Sequence, residues 1–266
     1  MKWVLLVFCL VMSGFSGPED VLAPYGALKT RAQKMSMGEL VGAFGRELEG
    51  KPYEERTLEK PGPESLVVRF SSFDCFTLME TSLAAARSLK KGASFPEELQ
   101  DIRYRNGQIE GYASRLHYTV DWAYNNSRMG LVQDVTREMG GIPRRKTINF
   151  MTTHRKAYEA LKDEGVFQSI ADLEKMINQR THYYLPADRI SNNEHLIREG
   201  DLIACTTSIT GLDVTHVGIA VRVGKGIHLL HASKKAGVVI ISEASLGNYV
   251  ASQPKMDGVM IFRPLD

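Results

Sequence analysis

The chain has 266 residues, 43% hydrophobic and 24% charged, enough to bury one full core and ordinary for a globular protein. Lys and Arg number 33 against 31 Asp and Glu, a formal charge of +2, so no basic field exists to draw in nucleic acid. The small basic cluster Arg144-Arg145-Lys146 reads as a solvated loop, no segment repeats and none is of low complexity.

At the start, Lys2 precedes an apolar run from Trp3 to Met12, and Gly14-Phe15-Ser16 puts small residues where a signal peptidase reads. The run is short for a membrane span. Residues 1–16 are therefore expected to be a signal peptide cleaved near Gly17, giving an exported, periplasmic or extracellular protein without a stable membrane anchor. Cys9 would be lost with it. The remaining Cys75 and Cys205 sit in very different contexts and do not read as a disulfide framework, with a single bridge between them as the alternative.

Helical spacing follows over Met37–Leu48, then a Pro/Gly-rich stretch, Lys60 to Pro63, and the apolar Leu66-Val67-Val68. Phe76, Met79, Leu83 and Ala86 predict a helix from Cys75 to Lys90, stopped by Gly92. The middle, about 93–198, reads as irregular or helical, with helical spacing at Thr153–Leu161 and Ile170–Gln179 and a stop at Leu185-Pro186. From Gly200 the pattern changes to short Val/Ile-rich strands: Asp201–Ala204, Val217–Val223, Ile227–Ala232, Val238–Ser242 and Val259–Arg263. Helices followed by an antiparallel meander predict an α+β fold.

Three stretches carry candidate chemistry. Cys75 opens its helix behind Ser71-Ser72-Phe73-Asp74, so Ser72 or Asp74 can cap it. The positive end of the helix favours a thiolate there, and the free N–H groups can hold an oxyanion; position alone equally allows a small buried hydrophobe. His216 lies on a strand whose His face carries only Gly218 and Ala220, which leaves room for the helix start that brings the thiol. His228 and His231 are three apart and point to opposite strand faces, so only one can orient His216. The same geometry opposes a zinc site, and no Cys-x-x-Cys or His-Glu-x-x-His is present. Cys205 reads as a buried strand residue.

The ordered set Asp74-Cys75, Gly200-Asp201-Leu202, His216-Val217-Gly218-Ile219 and His231-Ala232 resembles the NlpC-type branch of the papain-like cysteine peptidases. Further stretches narrow it. Phe73 to Glu80, Tyr112 to Tyr118 with Asp121-Trp122, Asn149 to His154 and Gly211 to His216 are similar to the N-acetylmuramoyl-L-alanine amidase-like family, formerly a domain of unknown function. That resemblance implies a papain-like core with a helical first part, a large insertion and a C-terminal antiparallel sheet, in one domain over 17–266. It also implies Cys75 as nucleophile, His216 as base and His231 as orienting residue, with His228 outside the triad. The implied reaction is cleavage of the muramoyl–L-alanine amide in peptidoglycan fragments, particularly anhydro-muropeptides, by a monomer needing neither metal nor cofactor. Phe76 and Leu78-Met79 depart from the residues usual after the cysteine and bear on fine specificity.

Substrate selection is expected from the insertion: Arg115 for a carboxylate, Tyr112, His117 and Trp122 as an aromatic wall for a sugar, and Asp213 beside the histidine strand. The competing reading makes Trp122 core and Arg115 a salt-bridge partner. Other activities compatible with the pattern are a γ-D-glutamyl-diaminopimelate endopeptidase, an acyltransferase and an inactive cell-wall binding module.

Overall fold

The structure, a computed structural model, describes Leu22 and residues 25–266; the expected signal peptide and its cleavage site lie outside the described residues. Two short helices come first, α1 (Gly26–Ala32) and α2 (Met37–Glu47), then α3 (Cys75–Lys91) and α4 (Phe95–Arg103). Capping boxes start the last three: Ser36 with Glu39, Asp74 with Thr77, and Ser94 with Glu97. Gly92 ends α3 at φ 75°, where a side chain would be strained.

The middle contains α5 (Thr119–Arg128), β1 (Val132–Asp134), β2 (Ile142–Arg144), α6 (Phe150–Thr153), α7 (Glu164–Asn178), β3 (His182–Pro186) and α8 (Ala187–Asn193). The helix expected over Thr153–Leu161 is instead one turn followed by two 3₁₀ turns. Local side chains break it: the Thr152 and Thr153 hydroxyls donate to Asn149 O, and His154 Nδ1 lies 2.9 Å from Phe150 O. The strands β1 to β3 correct the reading of this region as irregular or helical. Two of them span three residues each, too few to display an alternation, and Pro143 is tolerated because β2 lies at the sheet edge.

The remaining elements are β4 (Leu202–Thr207), β5 (Val214–Val223), β6 (Gly226–Ser233), β7 (Val238–Ser245), α9 (Leu246–Ala251) and β8 (Met256–Pro264). The fold is α+β, with one antiparallel eight-stranded sheet in the order β2-β3-β8-β4-β5-β6-β7 and β1 also paired with β8. The α1–α5 side packs on the face bearing Leu202, Val217, Ile219, Leu230 and Phe262. The opposite face, with Ile203, Cys205, Ala220, Leu229 and Ile261, is covered by Ile190 of α8 and by Leu246 and Val250 of α9. Each layer buries its apolar stripe against the sheet, which is the main source of stability.

The Gly200-Asp201-Leu202 motif has a structural job. Gly200 adopts φ 79° and is jammed against the Gly38 backbone of α2, while the Asp201 carboxylate accepts from Arg263 Nε at 2.9 Å and Nη2 at 2.7 Å. Gly200→Ala adds left-handed strain and a backbone collision, so it is expected to cost about 3 kcal/mol or more in denaturant unfolding. A loss below about 0.5 kcal/mol would show that this approach is not tight.

Candidate active site

Asp74 caps α3 by accepting the Thr77 N–H at 2.8 Å, which fixes the orientation of the first turn and of Cys75 at its first position. Cys75 is half-buried and free of any disulfide, as is the fully buried Cys205. The backbone N–H groups of Val217, Cys75 and Phe76 favour the ionised form of the thiol. Desolvation, followed by the neighbouring Asp74 carboxylate, outweighs these donors and pushes the Cys75 thiol up to about 12. The expected thiolate-favouring effect of the helix start is therefore overruled in the unliganded site.

The contact with Val217 arises from a gap in the sheet. β5 pairs with β4 from Val214 onward, whereas β6 joins it only from Ile219. Beyond Leu230, β6 stays with β7 and leaves β5. Backbone N–H groups alternate sides along a strand, and that of Ala220 donates to Asp201 O on the β4 side. The Val217 N–H consequently points to the side β6 has vacated, where it favours the ionised form of the Cys75 thiol.

This corrects the expected approach of the helix. The body of α3 does not cover the Gly218 side of β5; Leu78, Met79 and Leu83 pack with Val217 and Ile219 on the other face. A Cβ on Gly218 would meet Leu230 O at 2.7 Å and Leu229 Cδ1 at 2.8 Å, so the glycine admits the neighbouring strand. The thiol reaches the His216 strand along its open edge.

His216 and Cys75 line one cavity of about 250 Å³. His216 Nε2 lies 2.7 Å from His231 Nδ1, with the two rings perpendicular. His231 is buried, its Nε2 has no hydrogen-bond partner among the described residues, and its ring meets Tyr249 of α9 edge-on at 5.2 Å. His228 is engaged elsewhere, with Nδ1 2.8 Å from Ser242 O. Burial lowers His216 to about 3, reinforced by His231, and lowers His231 to about 4. Both imidazoles are neutral at pH 7, and among the described residues neither is hydrogen-bonded to the thiol.

The expected substrate residues divide. His117 lines the cavity, pushed down to about 3 by burial and held by Tyr112 O at 2.8 Å. Asp213 also lines it, buried, accepting the Val120 N–H at 3.1 Å and the Val214 N–H at 2.9 Å; it ties α5 to the start of β5. Trp122 is fully buried, edge-on to Phe76 at 6.1 Å, and supports the wall from behind instead of facing a sugar. The Arg115 guanidinium is buried and occupied by Glu59 at 2.6 Å, Glu64 at 3.5 Å and Leu58 O at 3.0 Å, so it offers no fork to a ligand. Tyr112 packs against Arg115 and His117 outside the cavity wall. The aromatic lining comes from Phe76, Tyr118, Phe150 and Tyr158. Phe150 belongs to a stretch already noted as similar to the family, yet nothing in its spacing assigns a role, and Tyr158 carries no local signal at all. A larger cleft of about 1080 Å³ between the 143–147 segment and α7 is lined by neither Cys75 nor His216.

The family profile described as N-acetylmuramoyl-L-alanine amidase-like matches residues 43–259. The chain belongs to that family. A Bacteroides uniformis ATCC 8492 protein named N-acetylmuramoyl-L-alanine amidase superposes with a TM-score of 0.83 at 35% identity, over 86% of this chain and 99% of its own. A Bacteroides fragilis protein provisionally named a xylanase gives 0.78 at 35% identity, over 83% and 99%. A Legionella pneumophila protein, at 23% identity and a TM-score of 0.71 over 94% of both chains, shares the fold. No curated protein matches at a significant level.

The raised thiol makes a reactivity prediction. Iodoacetamide is expected to alkylate Cys75 in the free protein more slowly at pH 7 than it alkylates free cysteine, with a rate still climbing through pH 9. A rate plateau below pH 7, read from intact mass, would instead reveal a stable thiolate–imidazolium pair.

Proposed function

We propose that this family member is an exported cysteine amidase that hydrolyses the N-acetylmuramoyl–L-alanine amide of peptidoglycan fragments, anhydro-muropeptides in particular, through a thioester. The observation that carries the reading is the cavity shared by Cys75 and the His216–His231 pair in a chain of this family. In this reading the fold, a single domain over 17–266, has a papain-like, NlpC-type core.

Cys75 is the nucleophile. Its resting partner is a neutral imidazole, since burial disfavours both charges, so the proton leaves sulfur as the carbon–sulfur bond forms. For His216 to accept it at Nδ1, its Nε2–H donates to His231 Nδ1, and His231 then carries its own proton on Nε2. The tetrahedral oxyanion is met by N–H groups at the start of α3. His216 next gives its proton to the departing alanine nitrogen, the C–N bond breaks, and a muramoyl thioester remains on Cys75. Water, losing a proton to His216, cleaves the thioester and frees the lactyl carboxylate and the thiol.

With a disaccharide-tetrapeptide, the wild type is expected to release the intact tetrapeptide. Cys75→Ala and His216→Ala are expected to lose about 10³-fold or more in kcat/KM, and His231→Ala about 10²-fold. Mass spectrometry reads the outcome: a released dipeptide would reassign the enzyme as an endopeptidase, and unchanged turnover in Cys75→Ala would end the proposal.

The pH dependence follows from the sign of the His216 displacement. A base lowered to about 3 stays unprotonated above that pH, so kcat/KM is expected to hold from pH 7 to pH 5 and fall only near pH 3–4. An acid limb at the ordinary histidine value near 6.5 would contradict this assignment.

A further inference from the structure

A second cavity of about 510 Å³ adjoins the thiol cavity and shares Phe76, His117, Phe150 and Tyr158 with it. Nearly every charge on its wall is already engaged. Arg115 is held by Glu59 and Glu64, and Arg103 by Glu80 at 2.7 Å. Glu159 pairs with Lys162 at 2.6 Å, and Asp74 accepts the Thr77 N–H and the Thr57 hydroxyl. Arg56 is the exception: it is exposed and forms no salt bridge among the described residues.

Its backbone is also unusual. Arg56 sits at φ 56°, in the left-handed region that glycine or asparagine adopts with less strain. The turn is braced around it: Glu59 N–H donates to Arg56 O at 3.0 Å, Arg115 Nη1 to Leu58 O, and the Thr57 hydroxyl to Asp74, the cap of the Cys75 helix. A strained, clamped turn that presents one unpaired guanidinium into a pocket contiguous with the thiol is the arrangement of a ligand contact.

We infer that Arg56 binds a carboxylate of the substrate's peptide stem, so that the 510 Å³ pocket is the stem subsite. This rests on the amidase reading and deepens it. In the scissile amide the lactyl carboxyl is consumed and the saccharide is neutral, so the substrate's carboxylates all lie on the peptide side. Arg115, buried beneath the turn, acts as the brace that positions Arg56.

The test reads binding separately from turnover. In a Cys75→Ala background, calorimetry compares Arg56 with Arg56→Asn, which removes the charge while tolerating the left-handed backbone, and with Arg56→Lys, which keeps the charge. The ligands are a disaccharide-tetrapeptide and the same compound with its stem carboxylates converted to carboxamides. Arg56→Asn is expected to weaken the acid ligand about tenfold or more and leave the amidated ligand unchanged, with Arg56→Lys intermediate. Equal binding of the two ligands with Arg56 present, or an acid ligand indifferent to Arg56→Asn, overturns the inference. Loss of tetrapeptide release by the wild-type protein with this discrimination intact would fault the amidase reading and leave the carboxylate subsite standing.

Discussion

The arrangement depends on the edge that β5 exposes where β6 leaves it. A strand that ran with β6 along its full length would bury the Val217 N–H in the ladder and leave no edge for the start of α3. Because β6 turns away with β7 after Leu230, the Val217 amide is left facing the side of the Cys75 thiol and favours its ionised form. The same divergence lets His231 on β6 reach diagonally to His216 on β5 at 2.7 Å. One departure in strand pairing thus assembles thiol, imidazole and second imidazole at the rim of a cavity.

Around that gap the scaffold is stiffened by buried polar contacts. Arg103 joins α4 to Glu80 of α3 and also donates to Val67 O at 2.7 Å, while Asp213 joins α5 to β5 and Arg263 joins β8 to Asp201. Removing one partner of such a pair leaves an uncompensated buried charge, which is far more costly than the pair itself is stabilising. Placing these contacts on the Cys75 helix and at the two ends of β5 resists movement of the very elements that must stay in register.

Much of this was legible from residue order. The cap at Asp74, the stop at Gly92, the separation of His228 from His231 and the five strands after Gly200 all follow from local rules, and local hydrogen bonds realise them. What could not be read is tertiary. The parity of β5 correctly separates His216 from Val217, but it says nothing about which face α3 covers or where β6 ends. Arg115 looked like a ligand fork because its acidic partners, Glu59 and Glu64, are remote in sequence. Trp122 has the composition of a sugar platform and the burial of a core residue. Arg56 lies in a turn without periodicity, and its left-handed backbone is invisible in a side-chain pattern.

In the proposed reaction the sulfur of Cys75 takes the muramoyl carbonyl while His216 handles its proton. Millisecond acid quenching of enzyme with disaccharide-tetrapeptide, followed by proteolysis and mass spectrometry, tests it most directly. The expected product is a thioester on the Cys75-containing peptide with the added mass of the saccharide and none of the stem. An adduct carrying stem-peptide mass, or undiminished turnover with no adduct on any cysteine and no effect of blocking Cys75, would contradict it.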